Sequence, residues 1–229
     1  MPEKITLAFD IYGTLIDIHG VTQLLATRLG DAAMTFSSRW REKQLEYSFR
    51  RALMRNYVDF ATCTAEALEW TDRSMNTAMD SEFKKRLLTV YATLPAFPDA
   101  AVAIEQARDR GYRLYAFTNG TIAAMGPLLE NAGLRSAFLD IVTVDDLKTF
   151  KPDPAAYGYF LRRANAERTR TWLISSNPFD VTGAVSSGLQ AAWVRRDPRV
   201  AFDCWELQPT VTISSLAELV RAIETASAT

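Results

Sequence analysis

The spacing of five short apolar segments constrains the fold of this chain more than any other feature of its sequence. Each is rich in residues that favour strands, and they lie at residues 5–10, 112–118, 140–144, 171–175 and 190–194. Helical patterns lie between the later segments, and strands that alternate with helices are typical of a buried parallel sheet. We therefore predict an α/β fold with a Rossmann-like, three-layer α/β/α core.

The interval of about a hundred residues between the first two segments is far longer than a single crossover needs. Residues 22–94 have an almost wholly helical pattern, with apolar side chains in two stripes at helical spacing. The stripes are Trp40, Leu45, Phe49, Leu53, Tyr57 and Phe60, which follow Ser37 and Ser38, and Phe83, Leu87, Leu88 and Tyr91. We predict that residues 16–94 form a helical cap domain inserted into a core domain of residues 1–15 and 95–229, and that the stripes serve packing.

Helix-terminus signals mark the elements that follow the insertion. Asp99 stands at the expected N-cap of a helix over residues 99–110. Further helices are predicted over residues 121–131, 154–164 and 215–226, and the last of these should cover the sheet.

The composition limits the partners and the compartment of the protein. With 26 basic and 27 acidic residues, the net charge of −1 creates no field that would attract nucleic acid or an anionic membrane. We predict that the two cysteines, Cys63 and Cys204, are unpaired reduced thiols rather than a disulfide or a metal pair. The sequence has no secretion-signal pattern and no apolar run of about 18 residues. We therefore predict a cytoplasmic protein that binds small molecules.

Polar residues follow the ends of four predicted strands. In an open parallel sheet, ligands bind in the crevice beyond the carboxyl ends of the strands, so these residues are candidates for a site. They are Asp10 after the first strand, Thr118 and Asn119 after the second, Lys151 after the third, and Ser175, Asn177 and Asp180 at and after the fourth.

Four motifs carry these residues in a definite order around the insertion. They read D-x-Y-G-T from Asp10, T-N-G from Thr118, K-P-D-P from Lys151 and S-S-N-x-x-D from Ser175. In this order they resemble the motifs of the haloacid dehalogenase superfamily over essentially the whole chain. With W-R-x-x-Q-L-E-Y at residues 40–47, the chain is most similar to the type II, or L-2-haloacid, dehalogenases. The resemblance implies a haloacid dehalogenase-like fold, a 2-haloacid substrate, no metal or other cofactor, and a homodimer.

The resemblance makes Asp10 the nucleophile. An aspartate after a strand otherwise often caps a turn, but the other motifs converge on this one, and a nearby lysine would favour its ionised form. The resemblance pairs Lys151 with Asp10, whereas the local sequence alone would describe Lys151 as a loop lysine before a turn.

The second reaction step needs an activated water, and the resemblance implies a polar network for it. The only histidine, His19, precedes the insertion and is predicted to lie at the surface, so a histidine base is not expected. The network comprises Asp180, Asn177, Ser175 and Lys151, with Tyr157 and Thr14 holding the carboxylates. The residue that takes the proton is left open.

The residue two places after Asp10 separates two types of reaction. In phosphatases of the superfamily, the first motif resembles D-x-D, and its second aspartate protonates the leaving group. In this chain Tyr12 occupies the position of that second aspartate. Halide leaves without a proton if a cation or a hydrogen-bond donor receives its charge. The fourth motif of phosphatases resembles G-D-x-x-x-D and contains two acids, whereas the fourth motif of this chain contains one, Asp180. Magnesium needs several hard oxygen ligands, so these residues favour metal-independent dehalogenation.

Arg41, in the insertion, is predicted to receive the leaving halide or the substrate carboxylate, although most such helix arginines are simply solvated. Thr118 and Asn119 lie where an amide and the N–H groups at a helix start bind an anion. The resemblance implies further substrate contacts by residues that could equally belong to the core. These residues are Ile11, Tyr12, Leu45, Phe60 and Phe179.

We predict hydrolysis of a small (S)-2-haloacid to an (R)-2-hydroxy acid through an ester on Asp10. Three alternatives remain open. Opening of azetidine-2-carboxylate would use the same nucleophile, and Glu42 favours that substrate if it faces the pocket, because its charge would attract a cationic ring. The others are a magnesium-dependent phosphohydrolase and a catalytically silent binding protein.

Overall fold

In the computed structural model, which describes residues 4–228, a six-stranded parallel sheet forms the centre of the protein. Its strands are β1 (Thr6–Phe9), β2 (Arg113–Thr118), β3 (Asp140–Thr143), β4 (Thr171–Ser175), β5 (Gln190–Val194) and β6 (Val211–Ile213). They lie in the order β3-β2-β1-β4-β5-β6, and every neighbouring pair is parallel. The five predicted strands are confirmed. Residues 1–3 and 229, assigned above to the core domain, lie outside the described residues.

Helices precede and follow the strands in the predicted alternation. Four of the five helices between β1 and β2 lie in the insertion: α1 (His19–Leu29), α2 (Ala33–Met54), α3 (Phe60–Met75) and α4 (Ser81–Val90). The others are α5 (Ala100–Asp109), α6 (Ile122–Asn131), α7 (Pro154–Ala164), α8 (Pro178–Ser186) and α9 (Leu219–Ser227). No helix within residues 4–228 is long and apolar enough to cross a membrane.

Alternate strand residues point to opposite faces of the sheet and produce three layers. Leu7 and Phe9 pack with side chains of α5, α6 and α9, whereas Ala8 between them packs with α7 and α8. All three are fully buried, as expected for a strand covered on both faces. The predicted α/β/α core is therefore confirmed, and α9 covers the sheet as predicted.

The first predicted stripe of the insertion is not one helical face, so that prediction is wrong. Helix α2 ends at Met54, where Arg55 adopts the left-handed conformation with φ 54°. Tyr57 therefore lies in a connection, and Phe60 begins the next helix. Leu53 is 85% exposed and takes no part in the core. Because α2 ends before Tyr57, residues on the two sides of this end do not lie on one face of a single helix, even though their spacing in the sequence is helical.

The insertion leaves and returns to the core at adjacent points. Ile16 forms an antiparallel bridge with Ala96. On either side, the backbone N–H of Asp17 donates to Pro95 at 2.9 Å and that of Phe97 donates to Leu15 at 2.8 Å. We propose that this paired crossing is the boundary between a cap domain of residues 16–94 and the core.

Two further predictions concern single side chains. Asp99 precedes α5 as predicted, but its carboxylate makes no capping bond. It accepts instead from Arg196 at 2.7 Å, from the Ser215 hydroxyl at 2.6 Å and from the Leu216 N–H at 2.9 Å. Both cysteines are free, as predicted: Cys63 is buried and Cys204 is exposed.

Candidate active site

Asp10 lies at the carboxyl end of β1, in the middle of the sheet, because β1 is flanked by β2 and β4. Its backbone N–H donates to the carbonyl of Ile174 at 3.0 Å, which extends the pairing of β1 with β4 by one residue. The residue is 8% exposed. The carboxylate is thus held rigidly and almost removed from solvent, where charged hydrogen bonds are stronger than in water.

Four donors surround the Asp10 carboxylate. Oδ1 accepts from Lys151 Nζ at 3.0 Å. Oδ2 accepts from Asn177 Nδ2 at 2.7 Å, from the Thr14 hydroxyl at 2.9 Å and from the Ser175 hydroxyl at 3.3 Å. Residues from three of the four sequence motifs therefore meet at one side chain.

A tight turn after β1 brings Thr14 back to Asp10. The N–H groups of Leu15 and Ile16 both donate to the carbonyl of Ile11, at 2.9 and 3.0 Å. Gly13 lies in this turn with φ 80°, a backbone conformation that glycine adopts easily because it has no Cβ. The side chain of Ile11 is fully buried in the core, so only its backbone is available to a ligand.

Lys151 is 1% exposed and uses all three N–H bonds of its ammonium group. It donates to Asp10 at 3.0 Å, to Asp180 Oδ2 at 2.6 Å and to the carbonyl of Phe117 at 3.1 Å. Burial alone would lower the pKa of Lys151, but the two carboxylates outweigh it, so its pKa lies above the usual value. The lysine is therefore a fixed cation between two aspartates.

Asp180 is fully buried at the start of α8. Its Oδ1 accepts from the Tyr157 hydroxyl at 2.9 Å. Burial and the charge of Asp10 raise the pKa of Asp180 to about 6, although Lys151 and Tyr157 oppose the rise. Burial and the Asp180 charge likewise raise the pKa of Tyr157 well above its usual value.

Glycine at position 183 permits the contact between Tyr157 and Asp180. A Cβ on Gly183 would lie 2.6 Å from Cβ of Pro152 and closer still to the Tyr157 hydroxyl. Both distances are shorter than van der Waals contact. Helix α8 can therefore approach α7 closely enough for the hydrogen bond only with glycine at this position.

The insertion supplies a second cation to the same network. Arg41, half-buried on α2, donates to Asn177 Oδ1 at 3.1 Å and to Gln44 Oε1 at 2.6 Å. Asn177 is the residue that donates to Asp10. Burial lowers the pKa of Arg41, and nearby Tyr91 and Asp10 oppose that shift. Arg41 thus lies one side chain away from the candidate nucleophile, and its contact with halide or substrate stays a prediction.

The residues at the end of β2 are partly engaged within the protein. The Thr118 hydroxyl accepts from the Gly120 N–H at 2.9 Å. Asn119 Oδ1 accepts from the Lys151 N–H at 2.8 Å, which ties the second motif to the third. Binding of an anion at this position stays a prediction.

A cavity of about 190 Å³ lies between the insertion and the core. Tyr12 and Phe60, both predicted to contact substrate, line it. The other lining residues include Gln44, Thr64, Leu88, Tyr91, Gly120 and Met125. Phe179 packs instead against Phe49 at 5.2 Å between ring centres, and Leu45 packs against the core cluster that contains Phe60. Substrate contacts by these two residues stay predictions.

The site residues described above lie within a stretch that matches a known protein family. A family model described as haloacid dehalogenase-like hydrolase matches residues 6–188. This chain belongs to that family.

Individual relatives cover the haloacid dehalogenase-like chain almost completely. (S)-2-haloacid dehalogenase 2 of Pseudomonas sp. (strain CBS-3) is 33% identical over 100% of this chain and 99% of its own. Haloacetate dehalogenase H-2 of Moraxella sp. (strain B) is 34% identical over 95% of this chain and 96% of its own. The L-2-haloacid dehalogenase from Xanthobacter autotrophicus with chloropropionic acid covalently bound has a TM-score of 0.88 and 27% identity, and covers 97% of this chain and 99% of that one.

Two further observations on this haloacid dehalogenase-like hydrolase concern the alternatives left open by the sequence. Glu42 is exposed and lines neither the cavity described above nor a second cavity of about 290 Å³ beside Arg41 and Asn177. The condition under which it would attract a cationic ring is therefore not met. Within residues 4–228, no three His, Cys, Asp or Glu side chains are grouped as a metal ion would require.

Three residues of the polar network in this family member were not predicted from the sequence: Gln44, Thr64 and Ser176. Ser176 donates its N–H to the Thr14 hydroxyl at 2.8 Å. Gln44 follows Arg41 by three residues, a spacing that brings helical side chains together, so this signal was present. Thr64 lies on another helix, and no sequence signal connects it with Arg41.

Proposed function

We propose that this chain hydrolyses small (S)-2-haloacids to (R)-2-hydroxy acids through an ester on Asp10. The observation that carries the proposal is the environment of Asp10. Its carboxylate meets a buried lysine and three neutral donors, while the position two residues later holds Tyr12 and not a second acid. The names of the relatives, which are dehalogenases of haloacids and haloacetate, support the same reaction.

In the first step, an Asp10 carboxylate oxygen attacks C2 of the haloacid from the side opposite the halogen. A carbon–oxygen bond forms, the carbon–halogen bond breaks, and the halide leaves with the bonding electrons, which inverts the configuration at C2. Guanidinium N–H groups of Arg41 that are not bonded to Gln44 or Asn177 are available for the halide or the carboxylate of the substrate.

In the second step, water attacks the carbonyl carbon of the Asp10 ester. Negative charge then develops on the Asp10 oxygen that did not attack C2. Lys151 donates to Oδ1, and Asn177, Thr14 and Ser175 donate to Oδ2, so donors are in place on either oxygen. Donors fixed in advance stabilise such an oxyanion without reorganisation.

We assign Asp180 as the group that takes one proton from the attacking water. When the intermediate collapses, the ester bond breaks and the leaving oxygen takes that proton to become the hydroxyl of the product. The Asp10 carboxyl group loses the other water proton to solvent, which restores the carboxylate.

The competing functions receive less support. Phosphate-ester hydrolysis needs a general acid for its alkoxide leaving group, and Tyr12 replaces the acid found at that position in phosphatases. The exposed position of Glu42 removes the feature that favoured a ring amine. None of the three relatives above is named for either substrate. A silent binding protein would not need Asp10, Lys151 and Asp180 in one buried network.

Oxygen labelling tests the ester. With enzyme in excess over (S)-2-chloropropionate in ¹⁸O water, we expect the first lactate formed to be mostly unlabelled, because its new oxygen comes from Asp10. Mass spectrometry of the product measures the label. Full labelling in this single turnover would mean that water attacks C2 directly, and would rule out the proposed ester. A second turnover on the same enzyme should give labelled product and serves as the internal control.

A pH profile tests the role of Asp180 as the group that accepts a proton from water. Because its pKa is raised to about 6, its carboxylate is depleted as the pH falls through that value. We expect the rate constant of ester hydrolysis to be constant at higher pH and to fall about tenfold per pH unit below the pKa of Asp180 in the ester. That pKa lies below the value in the free enzyme, because esterified Asp10 no longer carries the charge that raises it. Rapid-quench measurement of the decay of the Asp10 ester provides this profile. A rate constant that stays unchanged from pH 8 down to pH 3 would contradict the assignment.

The remaining features of the proposal concern assembly, location and metal. We propose a homodimer in the cytoplasm, and light scattering at several concentrations tests the dimer. We also propose that turnover needs no divalent ion, since halide departs without a proton and Lys151 already supplies a cation between Asp10 and Asp180. Loss of activity on treatment with a chelator would contradict metal independence.

A further inference from the structure

A continuous line of hydrogen bonds connects a backbone carbonyl of the insertion with Asp10. The Thr64 hydroxyl donates to the carbonyl of Phe60 at 2.7 Å, and Gln44 Nε2 donates to that hydroxyl. Gln44 Oε1 accepts from Arg41 at 2.6 Å, and Arg41 also donates to Asn177 at 3.1 Å. The final bond in the line is the one from Asn177 to Asp10.

The single hydroxyl hydrogen of Thr64 sets the direction of this line. Because that hydrogen is donated to the carbonyl of Phe60, Thr64 Oγ1 can only accept from Gln44. The NH₂ end of the Gln44 amide must therefore face Thr64, and its oxygen must face Arg41. The flipped amide would place NH₂ groups against the guanidinium, and its oxygen would face an oxygen without a free hydrogen.

The same reasoning fixes Asn177. Its Oδ1 accepts from Arg41, so its NH₂ group points to Asp10 at 2.7 Å and to the carbonyl of Tyr12 at 3.3 Å. An amide in the opposite orientation would present oxygen to the Asp10 carboxylate. The Asn177 amide is therefore held by Asp10 and the Tyr12 carbonyl at one end and by Arg41 at the other, and the position of Arg41 depends in turn on Gln44 and Thr64.

Burial makes this dependence strict. Gln44 is 2% exposed and Thr64 is 6% exposed, so bulk solvent does not reach them, and only water inside the cavity that both line could replace a missing partner. Trp40 Nε1 donates to the carbonyl of Thr64 at 2.9 Å, which holds α3 in place against α2. The hydroxyl is therefore held at a constant position relative to the side chain of Gln44.

We propose that Thr64 is a positioning residue: its hydroxyl orients the Gln44 amide, and so fixes Arg41 and the Asn177 amide that holds Asp10. Thr64 and Gln44 themselves have no bond to Asp10. The kinetic part of this inference rests on the proposed dehalogenase function, whereas the geometric part does not.

Three variants on one helix test the inference. Thr64→Val keeps the shape of the side chain and removes the hydroxyl, and Thr64→Ser restores the hydroxyl. Thr71→Val is the matched control, because Thr71 is also buried on α3 and its hydroxyl also donates to a carbonyl one turn earlier, that of Ala67 at 2.8 Å. Thermal unfolding compares the stability of all three with that of the wild type.

The first readout is the side-chain amide signal of Asn177 in a ¹H–¹⁵N spectrum, identified by its loss in Asn177→Asp. We expect Thr64→Val to shift or broaden this signal, and Thr64→Ser and Thr71→Val to leave it unchanged. This readout needs no turnover. If Thr64→Val leaves the signal unchanged, or if Thr71→Val moves it equally, the inference is overturned whatever reaction the wild type catalyses.

The second readout is halide release from (S)-2-chloropropionate. We expect kcat/KM of Thr64→Val to fall about tenfold, and that of Thr64→Ser and Thr71→Val to stay within about twofold of the wild type. If kcat/KM fell equally in Thr64→Val and Thr71→Val, Thr64 would have only a stabilising role, and the inference would be overturned. Absence of halide release by the wild type would count against the proposed function, and the amide signal would still decide the positioning role.

Discussion

Replacing Asp10 with asparagine is expected to abolish dehalogenation, lowering kcat/KM by at least about 10⁴-fold. The amide has nearly the same shape as the carboxylate but carries no charge and is a far weaker nucleophile. Its NH₂ group also cannot accept the bonds that Lys151 or Asn177 donates to the carboxylate. Halide release from (S)-2-chloropropionate measures the loss, and mass spectrometry should find no adduct on the variant.

Asp72→Asn provides a matched control for this substitution. Asp72 is a nearly buried aspartate paired with a lysine, Lys84, at 2.8 Å, but it lies in the insertion away from Asp10. We expect this variant to retain activity within about twofold of the wild type, since no contact with the reacting groups changes. Dehalogenation by Asp10→Asn at more than a tenth of the wild-type rate would show that another group attacks C2.

Replacing Lys151 with methionine is expected to damage both stability and activity. Methionine keeps most of the volume but leaves Asp10 and Asp180 buried without the cation between them. Removing one member of a buried ion pair costs about 3–5 kcal/mol of unfolding free energy, and loss of the cation that stabilises the oxyanion should lower kcat by about 10³-fold. Chemical denaturation and halide release measure the two effects.

The pH dependence of the unfolding free energy distinguishes loss of the buried cation from a simple packing defect in Lys151→Met. Without Lys151, one carboxylate can become neutral by binding a proton, so the folded variant binds protons more tightly than the unfolded chain. The variant should therefore lose stability as the pH rises, and the deficit relative to the wild type should be greater at pH 8 than at pH 5. A deficit independent of pH would contradict this account.

The exposed pair of Lys148 and Asp145, 3.0 Å apart, gives the control for a lysine-to-methionine change. Lys148→Met should alter the unfolding free energy by less than about 1 kcal/mol, because solvent screens such pairs. Comparable destabilisation by Lys148→Met and Lys151→Met would mean that removal of the buried cation is not the cause.

The strands and their polar ends could be predicted from sequence because both depend on local pattern. A buried strand such as β4 has an unbroken apolar run at residues 172–174, and the residues directly after the strand lie at the edge of the sheet. Strand β6 has only three residues, of which Ile213 alone is buried, so it leaves no comparable pattern. The helical pattern also wrongly predicts that Leu53 packs in the core. The reason is that Arg55, the left-handed residue that ends α2, has no clear signature in the sequence.

The contacts between elements could be predicted only in part. The meeting of Asp10 and Lys151 follows from strand order and family motifs, whereas the orientation of Glu42 depends on how α2 packs against the core. Thr64 reaches Gln44 only because α2 and α3 lie against each other, and neither residue shows this packing in its local sequence. A polar network that spans two helices therefore needs coordinates to be seen.

The paired crossing at Ile16 and Ala96 has a consequence for how such chains diversify. Since the two ends of the inserted segment are neighbours, its helices can be lengthened, shortened or exchanged without altering the register of any sheet strand. Asp10 and Lys151 of the core then remain in place while Arg41 and the cavity wall change with the exchanged part. Substrate preference and bond-breaking machinery can thus evolve as separate modules of one polypeptide.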